Sequence, residues 1–441
     1  MEKKKFYYGW IVVIAAFLTQ FVTTGLLIYT FSLFVAPMAT SLDVPRTSIT
    51  IASSIYTLAF AILSPVAGSQ IDKGRIKIMI VIAAVLFGGG FILLAFASNI
   101  VMFYIFYALI GIGGALAGPA VGSTLSALWF DKHRGLTTGI VNAAGGVAAL
   151  FMPTILASVM ESSGGTMVAF IIIGIISVVL LLISAVLVKT RPQDIGLMPD
   201  GLTKAEYDKL PQKQRPVMVG LTRAQALKTP ALWFMAIALM CLGFGQLGVM
   251  QNATAFLTDT KFDMVAAAQA LSIVGVVGVV SKLFFGWLVD KVDPKIVFAI
   301  GNILLIIGTL ILTYTQPTSG IAWMYGYAVI FGFGVGCWAP VVPVLAGRTF
   351  GMAYFGAIWG VAFGLRTIGD IVGVPGVSGI ASFMGYQGAF WIAAILLAIS
   401  LVLMVFVRKP KSFADIEKAA ADAAAAADDV AGEVKAEEAA A

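Results

Sequence analysis

Two charged side chains near the middle of a long apolar stretch are the residues of this sequence best placed to do chemistry. Arg366 and Asp370 stand four residues apart in the apolar run from about Tyr354 to Ile380. A charged side chain at the centre of a membrane helix costs at least ~2.5 to 3.5 kcal/mol by insertion scales, which argues that each charge has a use. In a helix, Trp359 and Phe363 share the face that carries both charges. The spacing therefore predicts an aromatic-lined, positively charged stripe that faces the protein interior.

Lys282 is the other charge inside a long apolar run. It lies seven residues before the end of its predicted span, roughly 10 Å into the bilayer, and its long stem can extend towards the midplane. We therefore expect Lys282 and Arg366 to face one cavity. The alternative is that Arg366 only pairs with Asp370 while Lys282 extends to the membrane surface.

Several uncharged polar residues in the apolar runs are further candidates for lining a cavity. They are Gln20, Tyr29, Tyr56, Asn142, Gln246, Gln251 and Asn252. We favour Tyr29 and Asn142, whose hydroxyl and amide groups can donate to substrate oxygens. Hydrogen bonding from one helix to another is the alternative use for each of these residues.

The composition is that of an integral membrane protein. Of the 441 residues, 60% are hydrophobic and 11% are charged, and the mean hydropathy is +0.99; soluble domains carry about 25% charged residues. The apolar runs are long and unbroken, which predicts helices rather than barrel strands. The first run, from Gly9 to about Ala36, lacks a signal-peptide cleavage site and is interpreted as the first span. Cys241 and Cys337 both lie in apolar runs and do not indicate a disulfide framework.

The apolar runs predict an all-α fold of twelve transmembrane helices. Their approximate limits are 9–36, 49–71, 76–97, 100–130, 136–160, 165–188, 230–258, 264–289, 296–315, 320–345, 354–380 and 389–407. Of the 28 Lys and Arg residues, 24 lie at the N-terminus, in the loops that follow even-numbered spans, or in the C-terminal tail. By the positive-inside rule, both termini are expected to be cytoplasmic.

One polar insertion divides the spans into two sets of six. Residues 189–229 carry eight basic residues, four acidic residues and several prolines, which predicts a cytoplasmic linker with a short amphipathic helix around 202–210. The expected organisation is an N-terminal six-helix half (1–188), this linker, a C-terminal six-helix half (230–407) and a cytoplasmic tail (408–441). The tail is rich in Ala, Asp and Glu, and we expect it to be disordered or to form a loose, solvated helix.

Spans two and eight end in the same motif. The pattern G-x-x-x-D-K runs from Gly68 through Asp72 and again from Gly286 through Asp290, which indicates a parallel internal repeat. The glycine allows a neighbouring helix to approach closely, and the aspartate can pair with an adjoining span and release it as the bundle rocks. The alternative is that these charges only set the topology. The predicted gating residues are Gly68, Asp72, Lys73, Arg75, Gly286, Asp290 and Lys291.

These features resemble the major facilitator superfamily over about residues 9 to 407. Within it, Tyr8-Gly9-Trp10 at the start of span one and the segment from Trp129 to Gly139 resemble the two signatures of monocarboxylate transporters. The second signature is also similar to a loop of the bacterial oxalate/formate antiporter. Its charged residues Asp131 and Arg134 are expected to take part in gating. The motif of span two departs from the family pattern, since Asp72-Lys-Gly-Arg75 is one residue shorter than usual.

The resemblance implies roles for the buried charges. Lys282 and Arg366 would form a carboxylate-binding pair, with the arginine and lysine of the antiporter exchanged between spans eight and eleven. Trp359 and Phe363 would line the same site. The aspartate and the span-one lysine of the animal carriers have no counterpart here, because Gly278 and the region of Tyr29 stand in their places. Asp370 is then the one mid-membrane carboxylate available for proton coupling.

The sequence thus predicts a secondary transporter of small organic anions, most favourably monocarboxylates such as lactate, pyruvate or formate, with proton symport through Asp370. It would act as a monomer in the cell (inner) membrane by alternating access. A dicarboxylate exchanger of the oxalate type and a transporter-like membrane sensor are the alternatives. No metal-binding, nucleophile or Walker-type motif is present, so no enzyme activity, cofactor or metal site is predicted, and the charge distribution does not suggest nucleic acid.

Overall fold

The computed structural model of this chain describes residues 7–163, 165–202, 219–316, 318 and 320–420, and it is almost entirely helical. The side chain of Tyr29 lies outside this description. The predicted amphipathic helix around 202–210 also lies outside it, apart from its first residue.

The first half of the chain forms nine helical segments. They are α1 (Gly9–Gln20), α2 (Leu27–Ser41), α3 (Arg46–Asp72), α4 (Ile76–Ala83), α5 (Gly89–Leu94), α6 (Ile100–Ala117), α7 (Pro119–Trp129), α8 (Arg134–Ser163) and α9 (Met167–Leu187). Single wide turns at Phe21–Leu26 and Ala84–Gly88 join α1 to α2 and α4 to α5.

Between the linker and the tail, the described residues form seven further helices. They are α10 (Arg223–Leu227), α11 (Pro230–Asp259), α12 (Met264–Val289), α13 (Pro294–Thr313), α14 (Ile321–Val335), α15 (Trp338–Phe350) and α16 (Phe355–Phe406). Pro230 and Pro294 stand at the first positions of α11 and α13, where the missing N–H has no helical partner to lose.

Eleven helical stretches of the described chain are long and apolar enough to cross a membrane. The last of them, α16, has 52 residues, which at ~1.5 Å per residue is more than twice the ~30 Å of a bilayer core. It is broken at Gly385, whose φ of 75° is readily adopted only by glycine. The two arms of α16 are therefore spans eleven and twelve, and the described chain makes the twelve crossings that the sequence predicts.

Two spans are interrupted within the membrane. Span four breaks at Gly118, between α6 and α7, and Pro119 begins the second segment. Span ten breaks at Gly336 and Cys337, between α14 and α15. Such breaks leave backbone groups that other parts of the protein must satisfy. The break in span ten lies beside the buried charges described below.

The outside of the bundle is apolar, and large side chains such as Ile62, Val85 and Val186 are strongly exposed. The interior also holds aromatic and small apolar residues, together with a minority of polar ones. An apolar surface of this extent is favourable only against lipid. The protein is therefore a multi-pass membrane protein.

The two sequence signatures meet at one end of the bundle, which we call the basic end because it carries the ends of α3, α7 and α12 with their basic loops. The Tyr7 hydroxyl donates to the Trp129 carbonyl at 2.7 Å. The ring centroids of Tyr8 and Trp129 are 5.8 Å apart, and those of Trp10 and Phe130 are 5.1 Å apart. The N-terminal signature therefore packs directly on the second one.

The linker and the tail also dock at the basic end. Asp200 accepts hydrogen bonds from the Asp131 and Lys132 amides, and Gly220 pairs with Gly351 in the loop between spans ten and eleven. Residues 411–420 are helical and Phe413 is buried. This segment of the tail is therefore helical, and the apolar Phe413 anchors it against the bundle. Residues 421–441 lie outside the described chain.

Candidate functional site

Arg366 lies inside the bundle on α16, with only 5% of its surface exposed. Its Nη2 atom is 3.4 Å from Oε1 of Gln246 on α11 and 3.4 Å from Oδ1 of Asp370 one turn along its own helix. The Trp338 ring, at the start of α15, stacks on the guanidinium with its centroid 3.8 Å from Cζ. Three different helices therefore position this one side chain. The i,i+4 pair of Arg366 and Asp370 is present as the sequence spacing predicted.

The guanidinium has hydrogen-bonding capacity left over. Within the described part of the chain, Nε and Nη1 of Arg366 are buried without a hydrogen-bond partner, and so is Nε1 of Trp359. Leaving a buried donor unsatisfied costs about 1–3 kcal/mol, and more for a charged group. The two polar contacts of Nη2 are also longer than the ~2.7–2.9 Å typical of charge-assisted hydrogen bonds. The site holds donors in excess of its own acceptors.

Aromatic rings connect this site to the N-terminal set of helices. The Phe363 centroid lies 5.9 Å from Trp338, 5.9 Å from Trp359 and 5.8 Å from Phe60. Phe60 belongs to α3, and Tyr56 lies one turn before it at a centroid distance of 6.1 Å. Trp359 and Phe363 are thus brought to the Arg366 site, as the shared helix face predicted.

Lys282 is held by a different set of partners. Its Nζ donates to the main-chain carbonyl of Asn142 on α8 at 3.1 Å. The Asn142 side chain donates to the Thr138 carbonyl and accepts from Gln20. Both the nitrogen and the oxygen of the Asn142 side chain are therefore hydrogen-bonded within the protein. These contacts favour a role in holding helices together rather than in lining a substrate cavity.

Lys282 and Arg366 both lie close to the break in span ten. A side chain at Gly336 would lie 2.7 Å from the Lys282 amide nitrogen, and Trp338, two residues on, stacks on Arg366. Lys282 donates to the Asn142 carbonyl, whereas Arg366 contacts Gln246, Asp370 and Trp338. The predicted pair therefore consists of two charges that are held by different partners beside one broken helix.

The motif aspartates make a second constellation at the basic end. Asp72 accepts from the amides of Gly356 and Ala357, at 2.7 and 2.8 Å, in the first turn of α16. Asp290 accepts from the amides of Gly135 and Leu136, at 2.6 and 2.9 Å, in the first turn of α8. The first amides of a helix lack intrahelical partners and lie at the positive end of its dipole, so each carboxylate is well matched to its site. Each aspartate joins the two sets of six helices.

Glycines allow this approach. A side chain at Gly356 would lie 2.6 Å from the Gly68 carbonyl, and one at Gly286 would lie 2.6 Å from the Gly135 carbonyl. Gly68 and Gly135 are equally crowded by the opposing backbone. The motif glycines therefore bring backbone against backbone across the two sets of helices, in two equivalent places.

The remaining predicted gating residues lie around these contacts. Arg134 pairs with Asp131 at 3.4 Å and donates to the Ala127 carbonyl. Lys73 and Arg75 are exposed, and Lys291 lies over the Trp287 ring, 4.1 Å from its centroid. These three basic side chains face outward rather than across the interface.

Asp290 lies just beyond the end of α12. Its partial burial raises the pKa of the carboxyl above the ordinary value, while the Leu136 and Gly135 amides and the nearby charges of His133 and Arg134 offset part of this effect. The carboxyl therefore holds its proton more tightly here than it would in water.

Sequence reasoning did not assign Gln246, Trp338 and Gly243 to the site. Gln246 was one of several polar candidates for lining a cavity, and nothing in the sequence places Trp338 near Arg366. Gly243 on α11 is packed so closely that a side chain there would lie 2.8 Å from Oδ1 of Asp370. All three contact Arg366 or Asp370 from other helices, so no spacing within one span could have revealed them.

The fold and the paired contacts of the two sets of helices define the class of protein. The sequence profile of the Major Facilitator Superfamily matches residues 12–374, and the chain belongs to this family. The resemblance inferred from the sequence motifs is confirmed.

Individual relatives share the fold at low identity. The oxalate:formate antiporter of Oxalobacter formigenes is 22% identical over 90% of this chain and 91% of its own length. Monocarboxylate transporter 12 of Xenopus laevis is 21% identical over 90% of this chain and 88% of its own. The solved structure of the proton:xylose symporter XylE has a TM-score of 0.72 at 17% identity, covering 91% of this chain and 96% of that one. Membership of the family makes this protein a transporter-type membrane protein but does not specify its substrate.

Proposed function

We propose that this protein is a secondary active transporter of small organic anions, and that monocarboxylates such as lactate, pyruvate or formate are its substrates. The observation that carries the proposal is the under-bonded guanidinium of Arg366, which keeps two nitrogens without partners in a buried, aromatic-lined position. A carboxylate supplies the missing acceptors in a planar, bidentate geometry that matches the guanidinium. Burying an arginine in this way otherwise has only a cost.

The charge of the site favours one carboxylate over two. Asp370 lies 3.4 Å from Arg366 and offsets part of its positive charge. Lys282 is bound to the Asn142 carbonyl and would have to leave it to join a second carboxylate. A dicarboxylate would need Arg366 and Lys282 to be available at the same time. We therefore favour monocarboxylate transport over dicarboxylate exchange.

Alternating access follows from the contacts at the basic end. The Asp72 and Asp290 hydrogen bonds hold the two six-helix halves, residues 1–188 and 230–407, together on that side. For substrate to leave there, both sets of bonds must break, while the other side closes. Gly68, Asp72, Gly286 and Asp290 are the gating residues on this account, with Lys73, Arg75, Asp131, Arg134 and Lys291 around them.

Asp370 is the residue we propose for proton coupling. A carboxylate substrate that binds Arg366 removes the counter-charge of Asp370, which favours its protonation. One proton would then move with each monocarboxylate. We place the protein in the cell (inner) membrane, and the positive-inside rule supports a cytoplasmic position for the basic end and both termini. The transporter would work as a monomer.

The experiment that tests this function is uptake of labelled lactate into proteoliposomes containing the purified protein, in competition with a panel of unlabelled acids. We expect pyruvate, lactate and formate to compete well and oxalate poorly. Efficient competition by oxalate would favour the dicarboxylate exchanger. Absence of flux for every acid, with binding retained, would favour the membrane sensor.

A further inference from the structure

The side-chain amide of Gln246 lies between the buried arginine and the broken span ten. Gln246 is on α11 and only 5% exposed. Its Oε1 accepts from Nη2 of Arg366 at 3.4 Å, and its Nε2 donates to the Val335 carbonyl at 3.3 Å. Val335 is the last residue of α14, immediately before the break. One amide thus contacts both the proposed substrate ligand and the helix end next to it.

The geometry of guanidinium makes the Nη2 contact important. A carboxylate can bind an arginine in bidentate fashion along either of two edges, formed by Nε with Nη2 or by Nη1 with Nη2. Both edges include Nη2. In this structure Nε and Nη1 have no partner, whereas Nη2 is engaged by Gln246 and Asp370. Neither edge is therefore fully available.

We propose that Gln246 is a positioning residue that occupies Nη2 while the site is empty and yields it to the carboxylate of the substrate. This inference rests on the proposed function, in which Arg366 binds the substrate. Gln246 acts through Arg366 and does not itself need to touch the substrate. Its neutral oxygen is a weaker acceptor for a guanidinium than a carboxylate is, so the exchange is favourable when substrate arrives.

The other end of the amide connects this exchange to span ten. When the hydrogen bond between Oε1 and Arg366 breaks, the side-chain amide of Gln246 can rotate. Its other hydrogen bond, from Nε2 to the Val335 carbonyl, is then less restrained. Trp338, on the far side of the break, stacks on the same guanidinium. Movement of Arg366 toward substrate therefore changes both contacts that span ten makes at its break. Gln246 would therefore couple the binding of substrate at Arg366 to a change in the contacts of span ten.

Replacement of Gln246 separates binding from transport. In Gln246→Ala the competitor for Nη2 is gone, so equilibrium binding of lactate should tighten by about two- to tenfold, the range that one hydrogen bond supports. The link to span ten is also lost, so the turnover rate should fall while the KM for lactate decreases. A purely structural role predicts the opposite sign for binding, since a poorly ordered Arg366 would bind lactate less well.

The matched control is Asn252→Ala on the same helix. The Asn252 side chain, one to two turns from Gln246, also bridges helices, since it donates to the Val374 carbonyl and accepts from the Ser378 hydroxyl of α16. We expect it to leave lactate affinity within about twofold of the wild type. A second variant, Gln246→Glu, places a carboxylate against Arg366 and should weaken lactate binding by tenfold or more; it keeps the test valid if Gln246→Ala folds poorly.

Isothermal titration of lactate into wild-type protein, Gln246→Ala, Gln246→Glu, Asn252→Ala and Arg366→Ala provides the answer. Binding to the wild type that is lost in Arg366→Ala supports the proposed function. Given that result, an unchanged or weaker affinity in Gln246→Ala, or an unchanged affinity in Gln246→Glu, overturns the role of Gln246 alone. If lactate does not bind the wild type, or binds Arg366→Ala equally well, the proposed function fails and this inference fails with it.

Discussion

Asp370 gives Arg366 a counter-charge without completing its hydrogen bonds. The two groups approach to 3.4 Å, yet Oδ1 of Asp370 has no hydrogen-bond partner within the described chain. A permanent structural ion pair in a membrane interior would be expected to close to a shorter, well-aligned contact. The loose pair instead leaves both groups able to change partners, which is what substrate binding and proton coupling require.

We expect Asp370→Asn to uncouple transport from the proton gradient. The neutral amide can neither accept a proton nor offset the charge of Arg366, so the site becomes more positive and the relative affinity for oxalate over lactate should rise. Lactate-driven proton movement in liposomes containing wild-type or Asp370→Asn protein is the measurement. An unchanged number of protons taken up per lactate in the variant would mean that Asp370 is not the coupling residue.

The contacts between helices at the basic end have the same form in two places. In each, a motif aspartate caps the first turn of a helix in the other set, and a motif glycine packs against the backbone beside it. The sequence motif was found only in spans two and eight. The structure shows that each copy is completed by a glycine and a pair of amides at the beginning of α16 or α8.

We expect Asp72→Asn and Asp290→Asn to change the rate of exchange between conformations more than the affinity for substrate. Each asparagine keeps the size of the side chain but has one acceptor oxygen in place of two, so one of the two hydrogen bonds to the facing helix is lost, worth about 0.5–1.5 kcal/mol. Lactate titration and single-turnover uptake measure the two quantities separately. A collapse of affinity in either variant would contradict a role limited to gating.

Close packing at Gly286 gives a sharper test on a single helix. An added methyl group at Gly286 meets the Gly135 carbonyl at 2.6 Å, whereas one at Gly275, also on α12, meets nothing within 4 Å. Gly286→Ala should therefore cost the state seen here about 1–3 kcal/mol, the usual range for overpacking. Spin-label distances across the basic end should lengthen in Gly286→Ala and stay unchanged in Gly275→Ala. Equal behaviour of the two variants would show that this contact does not control the basic end.

Acidification should favour the state with the basic end closed. Burial raises the pKa of Asp290 in this state, and a group binds its proton more tightly in the state in which its pKa is higher. As the pH falls from neutral toward ~4, the ordinary value for an aspartate, the closed population should therefore rise. Spin-label distances against pH check this, with Asp290→Asn expected to reduce the effect and the double variant Asp72→Asn, Asp290→Asn expected to remove it. His133→Gln removes the neighbouring imidazole and is the matched control, and a closed population that decreases with acid would reverse our assignment.

For the whole molecule, the sequence predicted what depends on local spacing or on long apolar runs. The twelve crossings were predicted from the lengths of the apolar runs. The break at Gly385 lies in the gap between the predicted eleventh and twelfth spans. The Arg366 and Asp370 pair follows from one helical turn. The duplicated motif predicted that two aspartates act in parallel, and the structure brings each of them to the opposite set of helices.

What the sequence could not predict depends on packing between distant segments. Nothing in the spacing of α11 or α15 indicates that Gln246 and Trp338 converge on Arg366, because that meeting depends on how three helices pack. The same is true of Lys282, whose partner is a main-chain carbonyl of Asn142. Every residue has a main-chain carbonyl, so the identity of the residue does not indicate that it will accept a hydrogen bond from Lys282. The anchoring of the tail through Phe413 likewise depends on a surface that only the folded protein provides.

The central claim is that Arg366 binds the carboxylate of the transported anion, and lactate uptake by purified Arg366→Ala protein in proteoliposomes tests it most directly. The variant should insert and remain monodisperse, because Asp370, left without its counter-charge, can become neutral by taking up a proton. Uptake should fall to background, and Arg366→Lys should restore it poorly since an ammonium cannot provide the two parallel hydrogen bonds. Wild-type uptake by well-folded Arg366→Ala protein would contradict the account.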